Sequence, residues 1–322
     1  MYPRTSAIEM NQVLNLTGAP YEIENYRARG RVVFQNKNMM CQYRAVGHPI
    51  AMTICDGLLE DAAARIGMDP VEMRRRNLMG DDSYPRSSAS GMKLDDLSHH
   101  KAIVKLTELM DYERLRADQT AKRGDGVYRG IGLCSMVEVT NPSPMFYGVG
   151  GAPIASQDGA MVRLDAGGAL QISSSVTEQG QGTNTILAQV AAGVFGVDMD
   201  RVRVKTGDTE VTPYGGGTWA SRGAGIGGEA MLQAALALKE QVLDVAAVIL
   251  QAKPGDLDIQ GGCITDAEGA ERMTLSDLAR TVYYRGNELP PDLKPELIAT
   301  RHYRVTDFPF VFTNGAMAAH VE

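Results

Sequence analysis

Glycine constrains this chain more than any other residue. Its 35 glycines gather in short runs: Gly148, Gly150 and Gly151; Gly180 and Gly182; Gly215 to Gly217; Gly223, Gly225, Gly227 and Gly228. No period relates these runs, which excludes collagen and solenoid arrays. Clustered glycine instead marks backbone held close to another group, or in conformations that other residues resist.

At 322 residues and 44% apolar composition the chain can bury substantial cores, and two domains are expected. The 39 acidic and 32 basic residues are well mixed along it, giving a formal charge of -7, so no basic stripe offers itself to nucleic acid. No run approaches the length of a membrane span, and MYPRTSAIEMNQ lacks a signal peptide's apolar stretch, so the cytoplasm is the expected location. Cys41, Cys55, Cys134 and Cys263 lie far apart with no CxxC spacing. That argues against a zinc or iron–sulfur site held by this chain alone and for reduced, buried thiols.

The pattern along the chain is α+β. Early residues read as extended segments and turns, with Val32 to Phe34 the best strand candidate. Ile50, Ile54, Leu58, Ala62 and Ile66 form one apolar helical stripe that Gly67 ends. Asp69 and Pro70 then open a second helix whose Arg74, Arg75 and Arg76 fall near its C-terminal end, where the helix dipole favours cations. A polar stretch over 80–95 and a charged helical stretch over 101–123 lead to a boundary near Gly124. Beyond it the pattern predicts a hairpin about Asp165 to Gly168, a helix from Thr183 to Phe195, a strand in RVRVKTGD, a long helix from about Ala224 to Leu250 and a hairpin about Gly261 and Gly262. No clean βαβ rhythm or dinucleotide fingerprint appears, so a doubly wound nucleotide-binding fold is not indicated.

Two loops carry chemistry. Glu178-Gln179-Gly180-Gln181-Gly182-Thr183 joins a strand to a helix, where glycines admit a ligand and helix-start amides point at anions. The bland alternative is an ordinary strand-to-helix turn capped by Thr183. Asp208-Thr209 and Thr212-Pro213 precede the second loop, Gly215-Gly216-Gly217-Thr218-Trp219-Ala220-Ser221-Arg222. There Thr218 and Ser221 offer hydroxyls and Arg222 a guanidinium for a phosphate, against the alternative of a flexible loop with a solvated arginine. His48 has no second ligand at metal-binding spacing, and His99 and His100, in a polar region, are expected to be solvated.

Taken in order, YRxxGxP (Tyr43 to Pro49), DPVEMRRRNL (Asp69 to Leu78), EQGQGTNT (Glu178 to Thr185) and GDTxxTPxGxGTxASR (Gly207 to Arg222) resemble the molybdopterin-binding large subunits of the xanthine dehydrogenase and aldehyde oxidase family. The resemblance runs from about Leu16 to the C-terminus. It implies that residues 1–123 are the C-terminal part of a first molybdopterin-binding domain and residues 124–322 the N-terminal part of a second. Tyr43, Arg44 and Ala45 match the family's loop beside molybdenum; Gly180, Gln181 and Gly182 match a pterin-contacting loop; Thr218, Ala220, Ser221 and Arg222 match the loop that holds the pterin and its phosphate. It further implies molybdenum on a molybdopterin, in the cytosine dinucleotide form, with [2Fe–2S] clusters and FAD on partner subunits. The reaction implied is hydroxylation of an aldehyde or N-heterocycle with oxygen from water.

Departures shape the expectation. Ala45 stands where aerobic carbon monoxide dehydrogenases carry a copper-binding cysteine. Val46 and Leu133 stand where purine-oxidising members have aromatic rings. The family's early glycine-rich motif falls before residue 1 and its GxGE motif, which carries the catalytic glutamate, after Glu322. Glu322 lacks that glycine context, so no catalytic residue is assigned to this chain, which is expected to be either a split large subunit whose missing parts a further chain supplies or a truncated product. The competing readings are an inactive or structural fragment and a simple nucleotide- or phosphate-binding module.

Overall fold

The structure is a computed structural model that describes residues 6–38, 42–144, 154–306 and 311–322; Cys41 and the first glycine run lie outside them. The fold is mixed helix and sheet and forms two compact units, Met1–Thr140 with Pro309–Glu322, and Asn141–Phe308. Gly124 closes a helix, whereas the units part at Thr140 because the strand ending there pairs with the chain's last segment.

In the first unit, α1 (Ser6–Leu16) is followed by α2 (His48–Ile66), which Gly67 ends in a left-handed conformation, donating its amide to Ala64 O. Asp69 caps α3 (Pro70–Asn77), its Oδ1 accepting from the Val71 and Glu72 amides at 2.8 and 3.2 Å. Two short strands, β1 (Arg86–Ser87) and β2 (Lys93–Leu94), precede α4 (His99–Leu109) and α5 (Tyr112–Arg123). The single helical stretch expected over 101–123 is thus broken at Asp111, which is left-handed at φ 51°. The ribbon β3 (Gly130–Thr140) pairs antiparallel with β11 (Val311–Val321).

Arg74 ties this unit together and is fully buried. Its Nε meets Asp56 at 3.1 Å, Nη1 meets Glu60 at 2.9 Å, and Nη2 donates to Leu133 O in β3 at 2.6 Å. Asp56 also accepts from the Tyr21 hydroxyl at 2.9 Å. The motif's first arginine is therefore an internal clamp between helix and strand, not a surface cation answering a helix dipole.

Four sequence expectations change here. Val32 to Phe34 lie outside any strand, with Val33 and Phe34 exposed. The α2 stripe faces outward: Ile50, Ile54, Leu58 and Ile66 are 41–65% exposed, while Ala51, Asp56 and Ala63 are buried. Periodicity finds the apolar face of a helix but not what lies opposite it. His99 is 1% exposed with neither ring nitrogen hydrogen-bonded among the described residues, and burial lowers its pKa to about 4 against the opposing pull of Asp81. Cys55, Cys134 and Cys263 are free thiols but half-buried rather than buried.

The second unit is built on a four-stranded sheet in the order β10 (Ile298–Tyr303), β4 (Asp158–Leu164), β5 (Leu170–Ser174), β6 (Val202–Thr206). The β4–β5 hairpin turns about Asp165 to Gly168, as expected. Strands β5 and β6 run parallel, joined through α6 (Thr183–Phe195), so one βαβ crossover exists where the sequence shows no such rhythm. The long helix α7 (Gly228–Leu250) packs on β4, β10 and α6. Leu164, Leu170, Ile172, Leu187, Phe195, Met231 and Leu238 fill the core, each worth about 1.5–3 kcal/mol in burial. A hairpin of β7 (Asp258–Gln260) and β8 (Cys263–Thr265), extended by β9 (Glu271–Thr274), and α8 (Leu275–Tyr284) complete the unit.

Ahead of α7, Gly223–Gly227 forms a wide π-type turn in which the Gly227 amide reaches Arg222 O at 3.1 Å. A Cβ at Gly227 would come within 2.8 Å of Val176, so glycine is what lets this turn rest on the end of β5. No helix of the described residues is long and apolar enough to cross a membrane.

Candidate functional site

The two motif loops meet in the second unit, where each leaves the sheet and enters a helix. The Glu178–Thr183 loop follows β5 and opens α6; the Gly215–Arg222 loop follows β6 and opens the turn into α7. Thr218 joins them. Its Oγ1 accepts from the Thr177 amide at 2.7 Å and its carbonyl accepts from Gln179 Nε2 at 2.9 Å.

In the first loop Gly180 and Gly182 are left-handed, at φ 89° and 85°. That geometry turns the amides of Gly180, Gly182 and Asn184 onto one carboxylate, that of Glu178, at 2.7, 3.1 and 3.0 Å. These amides, Asn184's first and then Gly182's, hold the Glu178 carboxyl below the usual carboxylate range. The expectation of an open anion cradle is corrected here: the chain's own anion occupies it. Gln181 also folds back, its Oε1 accepting from the Gln179 amide at 2.6 Å and its Nε2 donating to Thr183 Oγ1 at 2.7 Å.

The second loop is anchored from below. Arg222 and Asp158 are both fully buried and pair at 2.6 Å through Nε and Oδ2. Arg222 Nη1 also donates to Ala155 O at 2.8 Å, and Asp158 Oδ1 accepts from Ser175 Oγ at 2.7 Å and from the Gly216 amide at 3.0 Å. Burial pushes the Asp158 carboxyl up, with Arg222 as the chief opposing influence. The guanidinium expected to meet a phosphate is thus buried in an internal ion pair and is not solvated. A Cβ at Gly216 would lie 2.5 Å from both Ala155 O and Arg222 Nη1, so this loop residue must be glycine.

Above that anchor the backbone is strained and open. Ala220 and Ser221 are both left-handed, at φ 50° and 54°, a conformation that costs non-glycine residues about 1–3 kcal/mol each. The amides of Gly217, Thr218 and Ala220 have no acceptor among the described residues. Half-buried donors of this kind call for water or a ligand. Asn184, just past the first loop, and residues 204–210 line an open cleft of about 570 Å³ at the carboxyl end of β6. Open α/β sheets commonly bind ligands at such a place.

The remaining sequence candidates belong to the first unit. Tyr43 and Arg44 are exposed, and Ala45 is left-handed at φ 66°. Val46 is half-buried and its carbonyl lies 2.8 Å from His48 Nδ1. Because His48 Nε2 accepts from the Val139 amide at 3.2 Å, the ring proton sits on Nδ1, and burial lowers the pKa of this neutral histidine. Both nitrogens are engaged, leaving neither for a metal. Leu133 is buried within β3 and presents no surface to a substrate. Glu322 pairs with Arg129 at 2.7 Å. Sequence reasoning missed Asp158 and the role of Glu178. Only the latter left a signal, a carboxylate two and four residues ahead of two loop glycines.

A family described as a molybdopterin cofactor-binding domain matches residues 105–322, and a companion of the same description matches residues 1–78. The chain is 32% identical over 319 residues to the nicotine 6-hydroxylase large subunit of Paenarthrobacter nicotinovorans, covering 99% of this chain and 38% of that protein. It is 26% identical to the carbon monoxide dehydrogenase large chain of Hydrogenophaga pseudoflava, covering 93% of this chain and again 38% of that protein. Among solved structures, quinoline 2-oxidoreductase from Pseudomonas putida 86 superposes with a TM-score of 0.76 at 33% identity, over 86% of this chain and 35% of its own. The chain thus spans little more than a third of the length of these relatives.

Proposed function

The chain belongs to the molybdopterin cofactor-binding family of molybdenum hydroxylase large subunits, and from that membership we propose that it holds the molybdenum-pterin cofactor, in cytosine dinucleotide form, of an enzyme that hydroxylates an aldehyde or an N-heterocycle with oxygen from water. The observation that carries this reading is the second loop, whose Gly217, Thr218 and Ala220 amides have no acceptor among the described residues, beside a buried Arg222–Asp158 anchor. Such a rigid bank of donors fits the pyrophosphate and pterin edges of a dinucleotide.

When bound, the cofactor supplies the metal-centred redox chemistry, and the chain supplies binding and orientation. Gly217, Thr218 and Ala220 donate backbone hydrogen bonds, and Ser221, an exposed residue, lies beside them. Arg222 serves this loop through its guanidinium's grip on Asp158, not by touching phosphate. Gly180, Gln181 and Gly182 present a preformed loop to the pterin. Tyr43, Arg44, Ala45 and Val46 shape the substrate side, and Ala45 brings no side-chain donor for a second metal. Leu133 would act only as backing for that side. Partner subunits carrying [2Fe–2S] clusters and FAD would take up the electrons.

The test is isotopic. The complex purified through this chain is turned over with aldehydes and N-heterocycles in ¹⁸O-labelled water. Incorporation of ¹⁸O into a hydroxylated product supports the proposal; product oxygen drawn from O₂, or no hydroxylation with an intact cofactor, contradicts it.

A further inference from the structure

We propose that Glu178 is a positioning residue, the resident anion of its own loop, which fixes residues 179–184 in one shape and closes their amides to phosphate. The inference deepens the cofactor-binding reading and rests on it for its functional meaning.

The geometry is specific. The amides two, four and six residues beyond Glu178 all point at its carboxylate, which only the left-handed Gly180 and Gly182 permit. Asn184 lies in the first turn of α6, whose Gly182 N-cap has no side chain to offer, so Glu178 stands where an external anion would otherwise complement the helix. An anion tethered to the loop outcompetes a free one, because its effective concentration far exceeds that of any phosphate in solution. Gln181 and Thr218 close the loop from its other sides. The contrast with the second loop is direct: one set of amides meets a carboxylate, the other meets no acceptor among the described residues. A carboxylate has about four acceptor sites, and three are used here. What the loop can offer a cofactor is therefore acceptor character, suited to the N–H edge of a pterin and hostile to its phosphates.

The experiment reads backbone amides of the full chain by NMR and needs no cofactor, so its failure is distinguishable from failure of the chain to bind one. In Glu178→Gln, exchange at Gly180, Gly182 and Asn184 should quicken about tenfold or more while Leu187 and Ala191, deeper in the helix, stay as they were. Inorganic phosphate should leave these three amides unmoved in the unsubstituted chain and shift them in Glu178→Ala, where the cradle is vacated. Unchanged exchange in Glu178→Gln, or phosphate-dependent shifts in the unsubstituted chain, would overturn the proposal. If neither variant folds, the titration of the unsubstituted chain decides alone.

Discussion

Replacing Arg222 with methionine separates an anchoring arginine from a phosphate-binding one. The substitution keeps much of the side chain's length and apolar bulk but leaves Asp158 fully buried with its chief counter-charge gone, and strips Ala155 O of its donor. Breaking a buried pair on one side typically costs about 3–5 kcal/mol, because the remaining charge is uncompensated. With a urea dependence of about 1–3 kcal/mol/M, the unfolding midpoint of the second unit should fall by about 1–5 M. The chain's single tryptophan, Trp219, lies three residues from the substitution, so its fluorescence follows this unit. Adding Asp158→Asn should recover part of the loss by removing the stranded charge. A loss below about 1 kcal/mol in cofactor-free protein would refute the buried-anchor account and return Arg222 to the surface as a phosphate ligand.

Three further outcomes are expected. His99 is held neutral by burial, with a pKa of about 4 against about 6.5 unfolded. The unfolded chain therefore binds the proton more readily between those values, and stability that is intact above pH 6.5 falls by up to about 3 kcal/mol as the pH drops to 4; denaturation of the first unit should show this slope flattened in His99→Leu. Gly216→Ala should destabilise the second unit by about 1–3 kcal/mol through its clash with Ala155 O and Arg222 Nη1, read as a lower melting temperature. Ile54→Gln with Leu58→Gln should change the stability of the isolated chain by less than about 0.5 kcal/mol while reducing its binding of a hydrophobic dye, since both side chains face outward; a loss above about 2 kcal/mol would place the stripe in a core.

Legibility followed the range of the interaction concerned. Local signals held: Asp69 as a cap, Gly67 as a helix end, the Thr183–Phe195 helix and the turn at Asp165 to Gly168 all lie where neighbouring residues dictate them. The two glycine-rich loops were legible as sheet-to-helix junctions for the same reason. Long-range pairings were not, since Arg222 finds Asp158 across 64 positions and Arg74 finds Leu133 across 59. A pattern of charges cannot distinguish an arginine that meets a ligand from one that meets a buried carboxylate. His99 shows the same blindness in reverse, a polar residue in a polar stretch that tertiary packing swallowed. Glu178 was the nearest miss, visible at the head of the loop motif yet given no role of its own.

The central claim is that this chain carries the molybdenum-pterin cofactor, and molybdenum content tests it most directly. The chain is tagged, purified from its native host and assayed for metal by elemental analysis and for nucleotide by acid release. The account predicts molybdenum and cytidine monophosphate each near one per chain, together with co-purifying iron–sulfur and flavin subunits. A folded chain with neither molybdenum nor cytidine nucleotide would contradict it.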